Sequence, residues 1–164
     1  MLIPPTVYCN ILGDAYPMGG GAWNEKAMEY FSSKFPLNLC SPKYPIHLKE
    51  FWVIILATRV WGHLWSGHRV AIYCDNEACV QAITHQKPSD PALQECLREF
   101  FFLACSLKFQ PVALRITTED NDIADFLSRN QNKADIERKF LSKDLQGMNP
   151  VNITDDMFTF IGDW

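Results

Sequence analysis

The sequence predicts an α/β domain built on a mixed sheet with helices on both faces. Three observations carry that prediction. Branched and aromatic runs recur through the first 35 residues, a long apolar helical segment follows residue 45, and strand and helix patterns alternate from residue 68 to residue 129. Strand–helix–strand units of this kind put helices over the faces of a sheet, because parallel neighbours need a crossover. The chain has 164 residues, of which 48% are hydrophobic and 21% charged. That is ample core material for one ordered domain.

The first strand is read in "TVYCNILGDAY" (6–16), after a Pro4–Pro5 stub. "PMGGGAW" (17–23) reads as a tight turn or a close backbone approach, since glycine permits both. "KAMEYFSSKFP" (26–36) is the second and third strand region, and "NLCSPKYP" (38–45) is a proline-punctuated loop. "IHLKEFWVIILATRVWGHLW" (46–65) is apolar nearly all round, and its length favours a buried helix ending near Gly67. "HRVAIYC" (68–74) is a strand and "NEACVQAITH" (76–85) a helix broken by "KPSDP". Leu93, Cys96, Leu97, Phe100, Phe101 and Ala104 share one helical face. Val112, Leu114 and Ile116 alternate as a strand does. Ile123, Phe126 and Leu127 sit at helical spacing, with Asp120 as a candidate cap. The expected layout is a five-stranded sheet in a domain spanning 7–130, with a looser tail over 131–164.

Charge and cysteine usage narrow the function. A net charge of −4 and a pI near 5.5 oppose a free-standing nucleic-acid binder. They leave room for a nuclease, whose metal-holding acids also lower the pI. The six cysteines form no CxxC pair and no zinc-type spacing with the four histidines, so a reduced, intracellular protein is expected. The Asn152-Ile153-Thr154 sequon is then incidental. No apolar run is long enough to span a bilayer, and "MLIPPTVY" lacks the flank and core of a signal peptide, so no membrane partner is expected.

Four acids stand out by position. Asp14 closes the first strand, Glu50 lies in the long buried helix, Asp75 ends the fourth strand, and Asp125 lies in the last helix of the domain. Sites in α/β sheets gather at strand ends. Four converging carboxylates repel one another, and one or two Mg²⁺ or Mn²⁺ ions would relieve that repulsion with oxygen ligands alone. Each acid taken singly also fits a strand end or a cap, Asp75–Asn76 as a helix N-cap among them.

The motifs around these acids resemble those of ribonuclease H domains. "GDAYPMGGGAW" is similar to their first-strand Asp-Ala-Ser motif, and "IHLKEFWVIILATRVW" to their first helix with its Glu. "IYCDNEACVQAI" resembles their Asp-Asn strand end. "EDNDIADFLSRN" resembles the Asn-x-x-Ala-Asp-x-Leu-Ser-Arg segment of DIRS-like and gypsy-like retrotransposon polyproteins. The resemblance covers about residues 7 to 130, with the motifs in order. It implies a two-metal nuclease that cuts the RNA strand of RNA–DNA hybrids, with a reverse transcriptase upstream in the parent polyprotein. Asp14, Glu50, Asp75 and Asp125 carry over as metal ligands: Asp14 bridging, Glu50 and Asp75 on one ion, Asp125 on the other. Gly19, Gly20, Gly21 and Asn76 carry over as candidate hybrid contacts.

Two departures qualify the resemblance. "RITTEDN" puts Arg115 where the family commonly has His, and Thr117–Thr118 in place of Pro-Gly. Arg cannot shuttle protons near neutrality, so Arg115 is left as a phosphate contact or a plain surface residue. "QKPSDP" also leaves no room for the basic helix and loop with which cellular relatives grip the hybrid. Weak, salt-sensitive binding follows, resting on scattered cations such as Lys43, Lys49 and Arg69. The rival readings are a non-catalytic module on this fold and another nuclease of the superfamily. A nucleotide-binding protein lacks the necessary glycine loop.

Overall fold

The computed structural model describes residues 7–129 and 131–164. The Pro4–Pro5 stub lies outside the described residues, as does Asn130, where the sequence places the end of the domain. Strand β1 (Cys9–Tyr16) pairs antiparallel with β2 (Gly19–Asn24), and β2 pairs antiparallel with β3 (Glu29–Lys34). On its other side β1 takes β4 (Arg69–Cys74) in parallel, and β4 takes β5 (Gln110–Arg115) in parallel. The predicted mixed sheet is therefore present, antiparallel over its first three strands and parallel beyond. A sixth strand, β6 (Asn149–Pro150), runs parallel to β3 and gives the order β5-β4-β1-β2-β3-β6.

Helix ends follow local chemistry. A short helix α1 (Leu37–Cys40) occupies part of the segment expected to be loop, and α2 (Ile46–Trp61) starts directly after Pro45. Helix α3 (Glu77–His85) is capped by Asn76, whose Oδ1 accepts from Cys79 N at 3.3 Å. Helix α4 (Pro91–Leu107) combines an Asp90 cap, accepting from Leu93 N at 2.8 Å, with proline in its first turn, where the missing N–H costs nothing. Helix α5 (Asp122–Ser128) is preceded by Asn121, not capped by Asp120. Asn121 turns inward and donates from Nδ2 to the Gly13 carbonyl at 2.9 Å.

Two apolar cores sandwich the sheet. The larger joins Ile11, Phe31, Val70 and Ile72 to α2, α3 and α4. The smaller joins Trp23 and Tyr30 to Ile123, Ala124 and Leu127 of α5. The residues after 131 are not a loose appendage. Helix α6 (Lys133–Leu141) adds Ile136 and Phe140 to the smaller core, and β6 then follows the β3 edge. On the opposite face Phe160 stacks on Trp52, with centroids 5.1 Å apart. Arg59 donates to the carbonyls of Met157 and Thr159, and fully buried Glu99 accepts from Ile161 N at 2.5 Å and Gly162 N at 3.2 Å. This segment thus clasps α2 and α4. All six cysteines are free, and among the described residues no helix is long and apolar enough to cross a membrane.

Candidate active site

Strand geometry brings the first two acids together. The β1–β4 register pairs Leu12 with Tyr73, and continuing it two residues sets Asp14 level with Asp75. Neighbouring strands lie about 4.8 Å apart. Asp14 sits within β1, two residues before its end, and is 3% exposed. Glu50 projects from the second turn of α2 and is 5% exposed. Asp14 and Glu50 are close enough to perturb each other's carboxyls, and Asp14 also feels Asp125 in α5 and the charge of Asp75. Four residues from four elements meet at one end of the sheet.

A row of glycines sets how closely those elements approach. Gly19, Gly20 and Gly21 are not a turn; they form the buried first half of β2. Their hydrogens face the two helices alternately. A Cβ on Gly20 would lie 2.5 Å from Val53 in α2, and one on Gly21 would lie 2.4 Å from Leu127 Cβ in α5. Val53 is one turn beyond Glu50, and Leu127 is two residues beyond Asp125. Ser32 Oγ locks the same junction by donating to the Leu127 carbonyl at 2.5 Å. The glycines therefore let both acid-bearing helices settle onto the sheet, and their burial removes them as contacts for a nucleic acid. Gly21→Ala is expected to cost about 2 kcal/mol through overpacking, read as a lower urea midpoint at unchanged slope.

Electrostatics at the site runs against the folded protein without ions. Burial, with added repulsion from Asp75, pushes the Asp14 carboxyl up to about 7. Burial likewise drives Glu50 well above the ordinary carboxylate range, helped by Cys74 and Asp14. Asp75 is raised by burial and by Asp125, with Arg115 and the Thr118 side chain opposing. Of the two arginines beside the site, one is paired outside it and the other partly neutralises Asp125. Arg115 Nη1 donates to Glu77 at 2.8 Å, and Arg129 Nη2 to Asp125 at 3.2 Å. Ligand atoms of Glu50, Asp75 and Cys74 fall within 4.8 Å of one another. The Cys74 thiol is pushed well above its usual range, chiefly by its hydrogen bond with Cys79 and by burial, so it stays neutral and uncharged toward a hard cation. What remains is an all-oxygen set with more negative groups than the protein neutralises. That is the donor chemistry Mg²⁺ or Mn²⁺ takes.

The other sequence candidates divide. Arg115 stands at the C-terminal end of β5, beside the cluster. Asn76 lies next to Asp75 and uses its Oδ1 as the α3 cap. Lys49 is 2% exposed and donates from Nζ to the Pro17 carbonyl at 2.9 Å, so it is a structural cation and not a phosphate contact. Arg69 begins β4 at the opposite end of the sheet, where Nε donates to Gln110. Lys43 is exposed in the turn before α2. Thr118, which the sequence marks only as a departure from Pro-Gly, lowers the Asp75 carboxyl through its side chain, and Asn121, which ties α5 to β1, carries no signal of that tie in the sequence.

Solved structures share this architecture, two of them as follows. The N-terminal RNase H domain of a Mycobacterium tuberculosis protein, solved as a fusion with maltose-binding protein, superposes with a TM-score of 0.55 at 15% identity. The match covers 74% of this chain and 96% of that domain. The fold is ribonuclease H-like. An RNase H1 isolated from compost by a metagenomic approach agrees, with a TM-score of 0.53 at 18% identity, over 73% of this chain and 89% of that one. No family model matches the sequence, and no curated protein does. The ribonuclease H-like fold thus rests on architecture, whereas the site rests on the residues themselves.

Proposed function

We propose that this chain is a metal-dependent endonuclease that hydrolyses the RNA strand of RNA–DNA hybrids and derives from a retroelement polyprotein. The convergence of Asp14, Glu50, Asp75 and Asp125 at one sheet end, with Arg129 on Asp125 as the one direct ion pair to them among the described residues, carries the reading. The four acids would hold two divalent ions, Mg²⁺ or Mn²⁺, which when bound supply Lewis-acid activation of water and charge neutralisation at the scissile phosphate. Asp14 would serve both ions, Glu50 and Asp75 one of them, and Asp125 the other. Burial of Glu50 and Asp14 keeps water from competing for their oxygens, and β1 and β4 fix the first and third acids with little play. Asn76 is the candidate to face the hybrid from the start of α3, and the 2′-hydroxyl is the feature that separates RNA from DNA. The retroelement origin rests on "IADFLSR", and a reverse transcriptase is the partner that would supply the missing grip. The direct test is cleavage of a labelled hybrid with Mg²⁺ or Mn²⁺, beside single-stranded RNA and duplex DNA of the same sequence. Hydrolysis confined to the RNA of the hybrid supports the reading, and inertness under both metals removes it.

One observation favours a second reading, a non-catalytic module on the same fold. Arg115 stands where relatives have His and is paired to Glu77. Arg115→His is expected to raise the cleavage rate about tenfold, about 1.4 kcal/mol of barrier, a plausible size for one proton-handling residue. A single-turnover assay across pH checks it. A gain that appears only above the histidine pKa would mark the new side chain as a base.

A further inference from the structure

We propose that Tyr16 and Arg129 form a second contact surface beside the acid cluster, one that takes the sugar–phosphate backbone of the bound nucleic acid. The inference rests on the nuclease reading for the identity of its ligand. Tyr16 ends β1, two residues beyond Asp14, and remains 37% exposed in a chain whose other β1 side chains are mostly covered. The Arg129 guanidinium carbon lies 5.0 Å over its ring. Arg129 comes just after α5, four residues beyond Asp125, and its side chain is 51% exposed. Two chemically distinct acid-bearing elements, β1 and α5, thus each send an exposed side chain to one spot on the rim.

The arrangement is built for a phosphate in its donor geometry. Arginine has five N–H donors in a planar fork. Here Nε and Nη2 engage Asp125, at 3.3 Å and 3.2 Å to Oδ1. That leaves the Nη1 pair without a protein partner among the described residues. The carboxylate and the ring hold the fork on two sides, so little side-chain freedom is left to lose when a phosphate binds. The flat face of Tyr16 suits a ribose or an unpaired base. The need is also clear: a strand entering a site of four acids, on a protein of net charge −4, requires a cation on its flank. Arg115 is turned to Glu77, and Lys49 is buried. The sequence lacks a basic loop between α3 and α4, and Arg129 is a half-exposed cation that the fold sets on this flank.

The test uses the whole chain with EDTA, so that binding is read apart from cleavage. A short RNA–DNA hybrid is titrated while the Tyr16 ring and Arg129 Nε resonances are followed by NMR, and affinity is measured by fluorescence anisotropy from about 20 to about 200 mM salt. Both resonances are expected to move. Arg129→Met should weaken binding about tenfold and reduce the slope of log K against log salt by about 0.9, one phosphate contact. Arg129→Lys should keep the slope and lose only part of the affinity, whereas Tyr16→Ala should weaken binding severalfold with the slope unchanged. Resonances that stay still at millimolar hybrid, or variants that bind as the wild type does, would overturn the surface. Movement at both residues in a protein that cleaves nothing under any metal would uphold the surface and remove the nuclease. Cleavage with both residues unmoved would do the reverse.

Discussion

Asp75→Asn is expected to abolish hybrid cleavage, lowering the single-turnover rate about 10³-fold while leaving the fold in place. The carboxylate stands at the end of β4, level with Asp14, and its oxygens lie within 4.8 Å of those of Glu50. Replacing it with an amide keeps the shape and removes one of the charges that would position the ions. Electrostatic stabilisation is usually the largest catalytic contribution, so losing it cannot be offset by binding alone. The fold should survive because β4 is buried on both faces by Val70, Ala71 and Ile72, and Asp75 lies beyond them. Asp14→Asn should be equally inactive. Gel-resolved cleavage of a labelled hybrid measures the rate, and circular dichroism with a thermal melt checks the fold. Full activity in either variant would leave the acid cluster without a catalytic role.

How much of this was legible in the sequence depended on whether the signal was local. The β1, β4 and β5 strands and the α3 to α5 helices announce themselves by apolar pattern, α2 by the length of its apolar run, and the sheet needs little more. Asp14, Glu50, Asp75 and Asp125 were legible because each interrupts an apolar pattern at the end or within the first turns of an element. The glycines of β2 were not, since residues without side chains carry no alternation, and only the helices pressing on both faces hold them extended. Lys49 reads as surface in any sequence, and two main-chain carbonyls found across the fold make its burial possible. The segment after 131 has low apolar content, and its order comes from partners far away in the chain: Trp52, Arg59 and Glu99. Asn121 and Asp120 are adjacent polar residues, and nothing local says which one turns inward to Gly13. Long-range pairing, in each case, decided what periodicity could not.

The metal-free protein is expected to lose stability as pH rises from about 4 to about 8, opposite to the usual carboxylate behaviour. Folding raises the Asp14 carboxyl from 3.8 to about 7, mainly by burial, and raises Glu50 and Asp75 in the same direction. Over that window the folded state keeps protons that the unfolded chain has released, so each step up in pH favours unfolding. The stabilisation is full below the unfolded carboxylate range and is lost as pH passes through about 7. For Asp14 alone it amounts to up to about 4 kcal/mol. Asp90 and Asp122 work the other way. Against the cost of burial, Leu93 N–H and His47 hold the first low and Lys143 and Lys139 hold the second low, so their contribution is lost only below about pH 4. Urea unfolding in EDTA at pH 5 and pH 8 reads the difference as a falling midpoint. Asp14→Asn should flatten the profile and stabilise the protein at pH 8, because the amide carries no charge to bury. Mg²⁺ or Mn²⁺ in place of EDTA should restore the wild-type midpoint at pH 8 by mass action on the folded state. A wild-type midpoint that is flat with pH and indifferent to metal would mean that the four acids do not crowd one another in solution, and the site would lose its physical basis.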